Sequence, residues 1–167
     1  MRQILLVVDV QSIFSPPEWL LRGIEKLTDH MHSVATLELH DEVQTPFISQ
    51  LGWHPAAEDS CLVSTDKLFV KHGYVPSVQT IEYLKQCAPD RVLVCGIQTE
   101  TCVLAAGFAL FDAGLNPTLV TDLTVGSSLD RSGLLGIKLW KHHFRQITTV
   151  SSVLAEEARV NEQTGEG

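Results

Sequence analysis

Short apolar runs, several of them β-branched, constrain this chain more than any other feature: residues 4–8 (ILLVV), 34–39 (VATLEL), 91–95 (RVLVC) and 117–120 (PTLV). A strand with one wet face alternates apolar and polar side chains, whereas a strand covered on both faces is apolar nearly throughout. The runs therefore predict strands of a parallel sheet enclosed by helices. The segments between them carry the helical rhythm. Residues 17–31 place Leu20, Leu21, Ile24, Leu27 and Met31 on one stripe behind a proline. Residues 78–87 form a second amphipathic unit that stops before Ala88-Pro89. Residues 99–113 are apolar almost all round, as in a helix buried against sheet and neighbour, and Gly114 sits where a closing glycine belongs. Residues 129–144 and 150–157 complete the set. Strands alternating with helices predict one three-layer α/β/α domain over residues 1–159, followed by a polar tail over 160–167.

Composition narrows the function. A chain of 167 residues with 44% hydrophobic and 19% charged residues can bury a full core. Its net charge of -8 opposes a grip on nucleic acid. No apolar run is long enough to span a membrane, and the start (MRQILLVVDVQ) lacks the pattern of a signal peptide, so a cytoplasmic location is expected. Four cysteines without a CxxC pair suggest neither a disulfide framework nor a zinc site. Cys61, Cys87 and Cys95 read as small core residues.

In an open parallel sheet the ligand site lies beyond the carboxyl ends of the strands. Three separated segments deliver chemistry to that edge. The first strand ends in Asp9, the run before the second long helix ends in Lys71, and residues 91–95 lead through Gly96 to Cys102 at the start of the buried helix. Orphan N–H groups and the dipole at a helix N-terminus favour a thiolate, which predicts a lowered pKa for Cys102. Asp9 is placed to take the proton.

These segments carry a resemblance. LLVVDVQSIF (residues 5–14), FVKHGY (69–74) and VCGIQTETCVLAAGFALFDAG (94–114) resemble the isochorismatase-like cysteine hydrolases, the group that includes nicotinamidases and N-carbamoylsarcosine amidase. The likeness extends over about residues 4–156. It implies a six-stranded parallel sheet, usually in a homo-oligomer, with Asp9 as general base, Lys71 as polarising or orienting cation and Cys102 as nucleophile. It also implies a cis peptide between Ile97 and Gln98, with the Gln98 and Cys102 N–H groups forming an oxyanion hole. The expected reaction is cleavage of an amide-type C–N bond of a small molecule through a thioester on Cys102. Phe14, Trp53 and Tyr74, together with Phe47, are candidates to line an apolar pocket.

Nicotinamidases also carry a metal site around Asp-x-His after the second strand. Here that place reads Glu38-Leu39-His40 with no obvious third ligand, so no metal and no cofactor are expected. His142 and His143 read as the basic last turn of a helix. The main alternative is a catalytically silent scaffold or oligomeric binding protein of this fold. A nucleotide-binding domain would need a glycine-rich phosphate turn, and none follows a strand.

Overall fold

The structure, a computed structural model, describes residues 1–164. The elements run β1 (Gln3–Val8), α1 (Glu18–Thr28), β2 (Ser33–Glu38), α2 (Phe47–Leu51), β3 (Lys67–Lys71), α3 (Val78–Cys87), β4 (Arg91–Ile97), α4 (Leu104–Asp112), β5 (Pro117–Val125), α5 (Leu134–His143), β6 (Ile147–Thr148) and α6 (Val150–Thr164). The strands form one six-stranded sheet in the order β3-β2-β1-β4-β5-β6, and every neighbouring pair is parallel. This is the expected α/β architecture.

The apolar runs are explained by the two faces of the sheet. Along β1, Ile4, Leu6 and Val8 join Leu84, Leu110 and Trp140 in the core beneath α3, α4 and α5. Leu5 and Val7 join Leu20, Ile24 and Val153 in the core beneath α1 and α6. Every residue of β1 and β2 is buried, so neither strand has a position for water to claim. Strand order reverses between β1 and β4, and the ends of these central strands therefore diverge into a crevice.

Several boundaries differ from expectation. Residues 99–103 form a π-helical turn ahead of α4 rather than its first α-turn. Helix α5 starts at Leu134 rather than residue 129, because Asp130 and Ser132 draw the chain into a local turn. The Leu135 N–H donates to Asp130 Oδ2 at 2.6 Å, the Ser132 hydroxyl to Asp130 Oδ1 at 2.5 Å, and Gly133 takes a φ of +75°. Strand β5 continues to Val125, and α6 continues to Thr164, past the expected end at residue 157. Of the expected polar tail, residues 165–167 lie outside the described residues. Among the described residues no helix is long and apolar enough to cross a membrane.

Candidate active site

Asp9 is the first residue beyond β1 and is fully buried. Its φ of +50° lies in the left-handed region, which aspartate tolerates better than most residues. Thr36 on the neighbouring β2 holds it at both ends. The Asp9 N–H donates to the Thr36 carbonyl at 3.2 Å, and the Thr36 hydroxyl donates to Asp9 Oδ1 at 2.7 Å.

Lys71 ends β3 and reaches back over β2. Its Nζ lies 2.7 Å from Asp9 Oδ2 and donates to the carbonyls of Gly73 at 2.7 Å and Tyr74 at 3.0 Å. The ammonium thus faces one carboxylate and two carbonyls closely, with Glu38 Oε2 farther off at 3.5 Å. Lys71 thereby links Asp9 to the chain after β3. Burial alone would depress its pKa, but the surrounding Asp9, Cys102 and Glu38 carry it above the ordinary lysine value.

Cys102 lies within the π-helical turn after β4, and the turn is fixed by backbone geometry. Gly96 has a φ of +117°, and a Cβ there would stand 2.2 Å from the Val8 carbonyl oxygen. The Ile97–Gln98 peptide is cis. The Thr124 hydroxyl donates to the Gly96 carbonyl at 3.1 Å and meets the Thr99 hydroxyl at 2.7 Å. From the other side Gly136 of α5 presses on the turn, where a Cβ would lie 2.6 Å from the Thr99 carbonyl carbon. Small residues and hydroxyls thus hold the thiol against the end of β1.

The surroundings of the thiol run against the lowered pKa expected from its place at the helix start. Burial pushes the Cys102 pKa well above the ordinary thiol value, Asp9 and Glu38 push it further, and Lys71 opposes them without prevailing. Two nearby carboxylates and the loss of water outweigh the helix start. Burial also raises the Asp9 carboxyl, although Lys71 pulls the other way. A carboxylate with raised basicity and a protonated thiol form a pair suited to proton transfer.

Glu38 is the residue that sequence reasoning misplaced. In the sequence it reads as a polar residue at a strand end or, with His40, a metal ligand, yet its Oε2 lies 3.5 Å from Cys102 Sγ and 3.5 Å from Lys71 Nζ. It ends β2 in direct register with Lys71, a relationship that only strand pairing reveals. Gln11 locks it: the Gln11 amide donates to the Glu38 carbonyl and accepts from the Glu38 N–H, both at 2.8 Å. His40 turns elsewhere, to Glu42 at 3.2 Å. Ligand atoms of Asp9, Glu38 and Cys102 do lie within 4.8 Å of one another. The Lys71 ammonium already stands against both carboxylates, so this cluster does not fit a metal ion.

A cavity of about 210 Å³ opens over Cys102, with Phe14, Phe47, Trp53 and Tyr74 among its walls. The structure thus brings all the expected pocket residues together with Cys102 and Gln98. Glu38, Leu51, Thr101, Ser127 and Ser128 complete the lining and were not foreseen as pocket residues. The two serines sit on the loop before α5, which Glu100 tethers by accepting from the Ser127 N–H at 2.9 Å. Phe47 and Tyr74 meet edge to face at 5.3 Å. The volume is below the roughly 300–1,000 Å³ of drug-sized pockets and suits a small compound.

The sheet order and the buried cluster at its switch point define an isochorismatase-like α/β fold. The sequence profile described as "Isochorismatase domain" matches residues 3–152, and the chain belongs to the isochorismatase family. It is 30% identical over 161 residues to the secreted isochorismatase effector Isc1 of Phytophthora sojae, covering 93% of this chain and 76% of that protein. The structure is similar to a cysteine hydrolase from Pseudomonas syringae pv. phaseolicola, with a TM-score of 0.77 at 15% identity over 95% of this chain and 93% of that one. It is also similar to N-carbamoylsarcosine amidase from Thermoplasma acidophilum, with a TM-score of 0.73 at 16% identity over 90% and 97% of the two chains.

Proposed function

We propose that this protein is a cysteine hydrolase that cleaves an amide-type C–N bond of a small molecule through a thioester on Cys102. One observation carries the reading: a carboxylate, an ammonium and a thiol from three strand ends meet beneath a cavity at the switch point of the sheet. The amidase among the structural neighbours agrees in reaction class.

In this mechanism the substrate carbonyl enters over Cys102, and Asp9 takes the thiol proton as sulfur attacks. The thiol stays protonated until that moment because burial disfavours the free anion. The tetrahedral oxyanion is met by the backbone N–H groups of Gln98 and Cys102, worth about 3–4 kcal/mol per donor in such sites. Asp9 returns the proton to the departing nitrogen, leaving the acyl group on sulfur. Asp9 then activates a water that hydrolyses the thioester, releasing acid and regenerating the thiol. Lys71 keeps Asp9 in place throughout. Phe14, Trp53 and Tyr74 shape the apolar part of the pocket.

The reading includes a homo-oligomer, supported by exposed Phe111 and Leu134 on helices α4 and α5, and a cytoplasmic location, supported by four unpaired cysteines. Sedimentation velocity and cell fractionation test these two points. Ammonia release from a panel of small amides, ureides and carbamoyl compounds tests the activity. Turnover by the wild type and none by Cys102→Ala supports the reading, and equal turnover by both overturns it.

A further inference from the structure

The cavity has an unusual charge balance. Its polar lining is Glu38, Gln98, Thr101, Ser127 and Ser128 beside the thiol, and Glu38 is the one formally charged group among them. Lys71 lies outside that lining, paired with Asp9 at 2.7 Å and donating to the Gly73 and Tyr74 carbonyls. An anionic group entering the cavity therefore meets a carboxyl group and, among the described lining residues, no lysine, arginine or histidine. A donor or a cation finds an acceptor beside the reacting sulfur.

We propose that Glu38 is a specificity-determining residue, which admits neutral or cationic carbonyl compounds bearing N–H donors and excludes those bearing a carboxylate near the scissile bond. The inference deepens the hydrolase reading, which it needs for the identity of the reacting atom, Cys102 Sγ. The groups facing Glu38 are Asp9, Lys71, Cys102 and Tyr74. Burial raises the Glu38 carboxyl, with Asp9 adding and Lys71 at 3.5 Å opposing, so the charge filter strengthens as pH rises and Glu38 ionises. The reciprocal bonds from Gln11 fix the backbone that carries it, and its carboxyl lies 3.5 Å from the sulfur. The same charge serves turnover, because hydrolysis converts a neutral amide into a carboxylate that Glu38 repels.

The test needs no turnover. Cys102 in the purified full chain is alkylated with iodoacetamide, which is neutral and bears N–H, and with iodoacetate, its anionic counterpart. Peptide mass spectrometry follows the rate at Cys102. Both reagents consume the same thiolate, so the ratio of rates cancels the thiol pKa, and free cysteine supplies the reference ratio. We expect the preference for iodoacetamide at Cys102 to exceed that of free cysteine by about tenfold or more, given like charges a few ångströms apart in a buried site. Glu38→Gln collapses the excess, and Glu38→Asp, which keeps the charge, retains most of it. A wild-type ratio equal to that of free cysteine overturns the inference whatever the variants do. An excess that survives in folded Glu38→Gln overturns it as well. If the ratios behave as expected but no amide is hydrolysed, the hydrolase reading falls and the charge filter stands.

Discussion

Asp9 and Lys71 form an ion pair with 2.7 Å between Oδ2 and Nζ, and neither side chain is more than 2% exposed. Removing one partner of a buried pair costs about 3–5 kcal/mol, and here Asp9→Asn leaves Lys71 only the more distant Glu38, at 3.5 Å. Asp9→Asn keeps the shape and tolerates the left-handed backbone, so it isolates the charge. Urea denaturation is expected to show a loss in that range, with part of it recovered in Asp9→Asn/Lys71→Met. A loss near the roughly 0–1 kcal/mol of a surface pair contradicts this account.

Gly96 controls how closely β4 approaches β1. Alanine there combines a φ of +117° with a Cβ 2.2 Å from the Val8 carbonyl, and both faults lie in backbone that side-chain motion cannot relieve. Gly96→Ala is expected to cost at least about 3 kcal/mol in denaturant titration. It should also displace the turn that carries Cys102. Wild-type stability in this variant shows the close approach to be unimportant.

The thiol gives a pH signature. Because burial and two carboxylates favour its protonated form, alkylation of Cys102 by iodoacetamide should keep accelerating above the ordinary thiol value of 9.0. A stable thiolate–cation pair would give a rate already level at neutral pH. A plateau below pH 7 excludes the protonated resting state.

Glu38 gives a second pH signature, in stability. Its carboxyl is raised above the ordinary 4.5, chiefly by burial, with Asp9 adding and Lys71 opposing. The fold therefore prefers the protonated form. This contribution is complete below the ordinary value and is lost as pH rises through the raised one. Relative to Glu38→Gln, the wild type should lose stability in paired urea titrations as pH rises above the ordinary value of 4.5 and through the raised one. A relative gain over that window reverses the assigned sign.

How much of this was legible in the sequence depended on the range of the forces involved. Strands β1 and β4 announced themselves because both of their faces are dry, a condition written in their own residues. Helix α2 and the two-residue β6 did not. Helix α2 is held by Glu42, whose carboxylate accepts from the Ile48 and Ser49 N–H groups at 3.0 and 2.9 Å, while β6 exists only as a partner of β5. Asp9, Lys71 and Cys102 were legible because each follows an apolar run at the edge where such sheets bind ligands. Glu38 was visible as a strand-end acid but not as a neighbour of the thiol, since that depends on the register of β2 against β3. The direction of the Cys102 shift was misread for the same reason: it is set by groups distant in sequence.

The central claim is that Cys102 sulfur carries the acyl group during turnover. It is tested most directly by acid-quenching the enzyme during hydrolysis of a responsive small amide and measuring intact and peptide masses. The account predicts an adduct equal to the acyl group, located on Cys102, absent from Cys102→Ala, and lost together with ammonia release. Undiminished ammonia release by Cys102→Ala, or an acyl group carried on any other residue, contradicts it.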